Sequence, residues 1–224
     1  MFQKVLKDNI ADSLGVLAFQ LKETDIFRLD LSVDNEELHQ IDLSSTNKLG
    51  EYINSRIKKS NKKLAVGGYA EDRLIYRKSS HFGKDEDART IHLGIDIWCN
   101  EKTGIYSPID GIIHSFKNNT NFGDYGPTII LQHSIGEYTF YTLYGHLSKN
   151  SLSRLAVGNK VSKGDKIAEL GDDTENGNWP PHLHFQLIRE MGDNYGDFPG
   201  VCSKKEKEKY LRICPNPELI LNIK

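Results

Sequence analysis

Apolar and polar residues alternate along most of the chain after Val66, in short runs that end at glycine or at another turn residue. Runs of this kind cover Thr128–His133, Tyr138–Tyr144 and Leu155–Gly171, and an Asp-Gly turn at Asp110–Gly111 separates two more. Short strands with a turn about every eight to twelve residues are typical of antiparallel β sandwiches and barrels. The pattern therefore predicts a mainly β fold, with an antiparallel sandwich or barrel-like core over residues 66–190.

The two ends of the chain have a different pattern. Residues 1–65 are predicted to form an α+β N-terminal extension, with a strand at Phe27–Val33 and a helix over residues 46–59. Ser44 or Ser45 can cap that helix, and its apolar face holds Leu49, Tyr52, Ile53 and Ile57. Residues 191–224 are predicted to be a C-terminal extension with a short helix.

Two further strands are predicted before the turn at Asp110, at Arg73–Tyr76 and at Ile91–Trp98. The second strand carries His92 and Asp96. On a straight strand these side chains would share a face but lie about 13 Å apart, too far for one metal ion whose bonds are about 2 Å long. We therefore expect the strand to bend at Gly94, because glycine tolerates unusual dihedral angles.

A second pair of candidate groups lies in the segment Pro180-Pro181-His182-Leu183-His184-Phe185. Side chains alternate between the faces of a strand, so His182 and His184 share a face, about 6.5 to 7 Å apart along it. Two imidazoles on one face are compatible with a metal site, with proton transfer, or with an ordinary exposed strand face.

Composition excludes several classes of function. The chain has 224 residues, 38% of them hydrophobic, and a formal net charge of −2. Such a chain has no basic field of the kind that nucleic-acid binding needs, so a nucleic-acid partner is not expected. No window approaches the roughly 20 apolar residues of a membrane span. The first residues also lack the regions of a secretory signal, so we expect a cytoplasmic protein, or one of the cell envelope if a leader has been removed.

The three cysteines do not have the spacing of a zinc motif. Cys99 is predicted to be a buried thiol. Cys202 and Cys214 flank a charged helical stretch, and a disulfide between them is an alternative that a reducing compartment disfavours.

Three motifs together resemble the lysostaphin/LytM-type zinc endopeptidases, which cut peptide bonds in peptidoglycan. They are His92-Leu93-Gly94-Ile95-Asp96, Tyr144-Gly145-His146-Leu147 and Pro181-His182-Leu183-His184-Phe185, in that family's order. The resemblance covers roughly residues 90–190. It implies one zinc ion per chain, held by His92, Asp96 and His184, with His146 and His182 as catalytic histidines that do not bind the metal.

This implied site agrees with independent chemistry. Three nitrogen and oxygen ligands leave a fourth tetrahedral position for water, which is the arrangement of a catalytic zinc. A neighbouring imidazole can take the proton of that water or stabilise the developing oxyanion. The expected function is zinc-dependent hydrolysis of peptide bonds, with a peptide or peptidoglycan as the substrate; which of His146 and His182 is the base stays open.

Two other functions share part of this sequence pattern. A non-catalytic zinc-binding regulatory or binding protein on the same fold is the main alternative, although all five motif positions are intact. A biotinyl-like or lipoyl-like carrier domain would share the glycine turns but would have no use for His92 and Asp96. We also expect the segment Gly67–Arg89 to border the cleft, and His39, His81, His114 and His133 to be ordinary surface or sheet residues.

Overall fold

The structure is a computed structural model, and it describes residues 2–10, 14–77, 87–221 and 223. Strands account for 33% of the described residues and helices for 25%, so the fold is mainly β, as predicted. None of the helices in the described ranges is long and apolar enough to cross a membrane.

The strands are short and follow one another closely in the second half of the chain. They are β1 Ile26–Leu29, β2 Leu64–Gly67, β3 Arg89–His92, β4 Ile95–Trp98, β5 Gly104–Tyr106, β6 Gly111–Asn119, β7 Gly126–Ile135, β8 Tyr138–Gly145, β9 Lys160–Val161, β10 Lys166–Glu169, β11 His182–Ile188 and β12 Val201–Ser203.

The helices lie mostly at the two ends of the chain. The α-helices are α1 Phe2–Asn9, α2 Thr46–Lys59, α3 Leu74–Arg77, α4 Lys207–Ile213 and α5 Glu218–Leu221, and 3₁₀ turns cover Glu23–Asp25, Glu36–Gln40, Lys149–Leu152 and Lys204–Glu206. The predicted helix over residues 46–59 is confirmed as α2, with the Ser45 side chain accepting a hydrogen bond from the Lys48 amide. Leu49 and Ile53 are its buried residues.

One large sheet organises the described part of the molecule. Its eight strands have the order β1-β2-β4-β11-β8-β7-β6-β9, and two smaller sheets pair β10 with β5 and β12 with β3. Within the large sheet β1 and β2 are parallel, with Ile26 opposite Leu64, and the other neighbours are antiparallel. The sheet is therefore mixed rather than wholly antiparallel.

The N-terminal region contributes strands to this sheet. β1 pairs with β2, and β2 pairs with β4 so that Ala65 lies opposite Trp98 and Gly67 opposite Asp96. The sheet thus continues from the N-terminal strands to the strand that carries Asp96, and β2 spans the expected boundary between residues 65 and 66.

The predicted strand at Arg73–Tyr76 is wrong, because α3 occupies Leu74–Arg77. Leu74, Ile75 and Tyr76 are all buried. A short apolar run that is buried on every side fits a helical turn as well as a strand, so its periodicity does not distinguish the two.

The expected bend in the segment that carries His92 and Asp96 is confirmed. β3 ends at His92 and β4 begins at Ile95, so the chain turns at Leu93–Gly94. A Cβ atom on Gly94 would lie 2.6 Å from Cε1 of His184 and 2.8 Å from the carbonyl oxygen of Phe185. Glycine is required at this position because of that close approach, and not because of an unusual dihedral angle as we expected.

The two strands around the Asp110–Gly111 turn do not form a hairpin. β5 pairs with β10, whereas β6 pairs with β7 and β9. The turn therefore carries the chain from a small sheet into the large one. Cys202 and Cys214 flank α4 as predicted, and both have free, buried thiols, so the alternative disulfide does not form.

Candidate metal centre

Three of the sequence-predicted residues meet beside the large sheet, two of them on neighbouring strands of it and the third at the end of a strand of a small sheet. His92 is the last residue of β3 and Asp96 lies in β4. β11 runs antiparallel to β4, and His184 lies directly opposite Asp96. The turn at Gly94 brings His92 back towards that pair.

The potential ligand atoms of these residues lie close together. Nε2 of His92 lies 3.0 Å from Nδ1 of His184, and Oδ1 of Asp96 lies 3.1 Å from Nδ1 of His184 and 3.3 Å from Nε2 of His92. Within the described residues, these three side chains form the group of His, Cys, Asp and Glu residues whose geometry suits a metal ion. All three are buried.

The outer hydrogen bonds of the two imidazoles determine which nitrogen carries the proton. Nδ1 of His92 lies 2.9 Å from the carbonyl oxygen of Gly68 and donates to it. Nε2 of His184 lies 2.9 Å from Oε1 of Gln186. The Gln186 amide nitrogen donates to the carbonyl oxygen of Pro199, which leaves its oxygen to accept from His184. In the neutral rings the inner nitrogens of His92 and His184 therefore carry lone pairs.

These lone pairs fit a zinc ion. Two imidazole nitrogens and one carboxylate oxygen face one another without a proton between them, which is unfavourable unless a cation lies at their centre. Tetrahedral zinc with bonds of about 2.0–2.1 Å separates its ligand atoms by about 3.3 Å, close to the spacing described above. Carbonyl and amide partners behind the ligating imidazoles are also usual at zinc sites.

Charges near the centre favour the metal-binding protonation states. Burial and the nearby guanidinium of Arg73 lower the pKa of His92 to about 4. Burial raises the pKa of the Asp96 carboxyl group, but the imidazole of His92 and the guanidinium of Arg73 outweigh it and hold that pKa well below its usual value. At neutral pH the protein thus presents a neutral imidazole and an ionised carboxylate, the forms that bind metals.

His146 and His182 lie beside the three ligands. His146 follows β8 directly and has a positive φ of 63°, and the centroids of the His146 and His182 rings are 4.2 Å apart. Nδ1 of His146 donates to the carbonyl oxygen of Asn176 at 2.7 Å, and Nδ1 of His182 donates to that of Pro180 at 2.8 Å. Each neutral ring therefore keeps a lone pair on Nε2.

These two histidines are also kept neutral by their surroundings. Burial lowers the pKa of His182 to about 4, and burial together with His182 lowers the pKa of His146 well below its usual value. Nε2 of His182 lies 3.9 Å from Oδ1 of Asp96, farther than either inner nitrogen of His92 or His184. Two neutral imidazoles that can accept a proton therefore lie next to the three candidate metal-ligand atoms.

A cleft of about 350 Å³ opens onto this centre. Asp96, His146, His182 and His184 are part of its lining, and aromatic side chains contribute to its walls. The aromatic residues are Tyr76, Trp98, Tyr125, Trp179 and Phe198.

The segment Gly67–Arg89 was expected to border the cleft. Its described residues include Ile75, Tyr76 and Arg89, which do line it. Most of the loop Lys84–Asp87 lies outside the described residues, and so does His81. Of the other histidines, His114 and His133 lie in β6 and β7, and His39 is exposed, as predicted.

Several residues at the site were missed by sequence reasoning. Gln186 follows His184 by two positions in a strand, so alternation placed it on the same face and was a usable signal. The hydroxyl of Tyr125 lies 3.4 Å from Nε2 of His184, and Arg73 donates to Asp96. No local pattern marks Tyr125 or Arg73, because both reach the site through long-range contacts.

Residues 90–196 match the family described as Peptidase family M23. This part of the chain is an M23 peptidase domain. The resemblance to the lysostaphin/LytM-type peptidases that the three motifs indicated is thereby confirmed. No curated protein sequence matches the chain at a significant level.

Three solved structures are among those similar to this chain. A zinc-containing peptidase from Vibrio cholerae is 26% identical, and the match covers 50% of this chain and 30% of that chain with a TM-score of 0.37. The catalytic domain of lysostaphin from Staphylococcus simulans is 25% identical, with 54% and 80% covered and a TM-score of 0.36. LytU is 27% identical, with 52% and 79% covered and a TM-score of 0.37.

Proposed function

We propose that the chain is a zinc-dependent endopeptidase that hydrolyses peptide bonds in peptidoglycan stem or cross-bridge peptides. The observation that supports the proposal best is the convergence of two imidazole lone pairs and one carboxylate oxygen at a cleft, beside two further neutral histidines. The M23 domain supports the reaction class. The substrate class is inferred from the resemblance to the lysostaphin/LytM-type enzymes.

The metal would be held by Nε2 of His92, Oδ1 of Asp96 and Nδ1 of His184. When bound, zinc supplies Lewis-acid polarisation of the scissile carbonyl group and makes a water molecule more acidic. The protein's own contribution is to keep the ligands deprotonated and oriented, which the carbonyl group of Gly68 and the amide oxygen of Gln186 do from behind the imidazoles.

His146 and His182 would move the protons of the reaction. Each ring donates its Nδ1 proton to a fixed backbone carbonyl group, so Nε2 is the atom that can accept a proton from the attacking water molecule. The same atom can return that proton to the leaving amine after the peptide bond breaks. A positioned acid or base of this kind contributes roughly 10²–10⁴-fold to a rate. Either histidine is suited to start the cycle.

The cleft would take the peptide in an extended form. Aromatic side chains from different parts of the fold line it, among them Tyr76 of α3, Trp179 before β11 and Phe198 before β12. Such walls bury the apolar parts of a bound ligand, and a small number of polar groups among them fix its orientation. The location of the protein, in the cytoplasm or in the cell envelope, stays a prediction, and a peptidoglycan substrate would require access to the envelope.

The experiment measures zinc content and cleavage in the same preparation. Purified protein is analysed for zinc by mass spectrometry and incubated with synthetic stem and cross-bridge peptides, before and after treatment with a chelator and after zinc is restored. We expect about one zinc ion per chain and cleavage that disappears and returns with the metal. Zinc binding without cleavage of any peptide would favour the non-catalytic alternative, and the absence of zinc binding would contradict both.

A further inference from the structure

Arg73 is fully buried, and its guanidinium group donates to the carboxylate at the metal centre. It contacts Oδ2 of Asp96, whereas Oδ1 of the same residue faces Nδ1 of His184 at 3.1 Å. The two carboxylate oxygens therefore have different partners. We infer that Arg73 is a positioning residue that keeps Asp96 a one-oxygen ligand of the metal. The inference rests on the zinc site proposed above.

The guanidinium group is itself held in place from several sides. Its Nε donates to Oε2 of Glu71 at 2.7 Å, and Nη1 donates to the hydroxyl of Tyr76 at 3.3 Å. The other oxygen of Glu71 accepts a hydrogen bond from the backbone amide of Leu31. A planar guanidinium that is fixed by these contacts has little freedom to rotate away from Asp96.

The neighbouring strand leaves room for this contact. Gly67 of β2 lies opposite Asp96 of β4, and a Cβ atom on Gly67 would lie 2.7 Å from Nη2 of Arg73. A larger residue at this position would displace the guanidinium group. Gly67 and Arg73 both precede the residues that match the M23 family, which begin at residue 90. The chain before that domain thus supplies a group that orients one of the domain's own candidate ligands.

The separation of the two oxygens has a chemical consequence. A carboxylate beside a divalent cation can bind through one oxygen or through both, and binding through both uses the space of an additional ligand. Three protein donor atoms leave a position open in a tetrahedral zinc site. By occupying Oδ2, Arg73 limits Asp96 to Oδ1 and preserves that open position. Its positive charge also compensates the buried carboxylate of Asp96 and the partly buried carboxylate of Glu71.

The test replaces Arg73 and examines the metal directly. Arg73→Met keeps an apolar stem of similar length without the charge, and Arg73→Lys keeps the charge without the planar fork. Zinc affinity is measured by competition with a chromophoric chelator, and the cobalt-substituted proteins are compared by visible absorption, which is stronger for four-coordinate cobalt than for higher coordination. Arg56→Met, which removes a partly exposed arginine paired with Glu37, is the matched control.

We expect Arg73→Met to bind zinc about 10–100-fold more weakly, as is typical when a group behind a ligand is lost. Its cobalt absorption should weaken towards that of higher coordination. Arg73→Lys should recover part of the affinity but not the wild-type absorption, and Arg56→Met should match the wild type in both.

Two outcomes would overturn the inference while the proposed zinc site stands. The first is wild-type zinc affinity and cobalt absorption in Arg73→Met. The second is complete recovery of both in Arg73→Lys, which would show that the positive charge alone is sufficient. If Arg73→Met does not fold, as judged by circular dichroism, the absorption of Arg73→Lys decides: an altered spectrum supports positioning and a wild-type spectrum overturns it. If the wild-type protein binds no zinc, the proposed function fails and the inference fails with it.

Discussion

The imidazole of His182 stacks on the indole of Trp98, with 3.9 Å between the ring centroids and 20° between the ring planes. The two residues lie opposite each other on β11 and β4. The indole fixes the plane of the imidazole, and the hydrogen bond to the Pro180 carbonyl group fixes its rotation within that plane. His182 is thus oriented by its neighbours, independently of any metal.

This orientation predicts that Trp98 affects turnover without affecting metal content. We expect Trp98→Leu to retain its zinc and to lose up to about 100-fold in turnover, because a small displacement of a catalytic group can cost that much. Trp98→Phe keeps an aromatic face and should lose less. Zinc analysis and peptide cleavage of both variants test this. Loss of zinc from a folded Trp98→Leu protein would contradict the prediction.

The two histidines of β11 are expected to have separable roles. His184→Ala removes a metal ligand, so zinc content and activity should fall together. His182→Ala leaves His92, Asp96 and His184 in place, so zinc should stay near one per chain while turnover falls by roughly 10²–10⁴-fold. We expect the same separation for His146→Ala.

Zinc mass spectrometry alongside peptide cleavage tests these roles. If His182→Ala loses zinc as completely as His184→Ala, the assignment of His182 as a residue that does not bind the metal fails. Full activity of His182→Ala would instead exclude its catalytic role.

Gly94 should be intolerant of any side chain. Its added Cβ atom would lie 2.6 Å from Cε1 of His184 and 2.8 Å from the backbone oxygen of Phe185, so Gly94→Ala must displace one of them. We expect zinc affinity to fall by at least about tenfold, in the range of other changes that misorient a ligand. Chelator competition measures it.

Gly50 in α2 provides the control for Gly94. An added Cβ atom there would meet the side chain of Pro180 at an ordinary 3.5 Å. Gly50→Ala should therefore leave zinc affinity unchanged and stabilise the protein by up to about 1 kcal/mol through helix propensity. Equal zinc affinities for Gly94→Ala and Gly50→Ala would contradict the steric argument.

His133 should make the stability of the protein depend on pH. Burial lowers its pKa to about 4 from the ordinary 6.5. Between these values the unfolded chain binds a proton at His133 that the folded chain does not, so the free energy of unfolding should fall as pH falls. The expected slope from this one residue is about 1.4 kcal/mol per pH unit.

Urea unfolding of the metal-free protein at several pH values measures this slope. His133 lies away from the metal centre, with hydrogen bonds to the Asp110 carbonyl oxygen and the Thr142 hydroxyl. His133→Gln removes the titrating group and should reduce the slope by about 1.4 kcal/mol per pH unit, the value for one proton. An unchanged slope would show that His133 is not linked to folding.

Much of the fold and of the candidate site follows from local sequence patterns. The helix at residues 46–59 and the strands of the second half were predicted correctly, because each depends on periodicity or capping that neighbouring residues reveal. The same applies to the position of His182 and His184 on one strand. The bend between His92 and Asp96 was predicted from the short distance that one metal ion allows, but its steric cause, the approach of Gly94 to His184 and Phe185, is a long-range contact. The assignment of His92, Asp96 and His184 to a common site required the family resemblance, since residues so far apart carry no mutual local signal.

Only the tertiary structure decided how distant segments meet. It placed β5 and β6 in different sheets, added β1 and β2 to the edge of the large sheet, and folded Arg73–Tyr76 as a buried turn instead of a strand. It also selected the imidazole tautomers through Gly68 and Gln186 and brought Arg73 against Asp96. The physical reason is that local preference is weak for short buried segments, so the contacts that satisfy buried polar groups across the sheet determine where those segments lie.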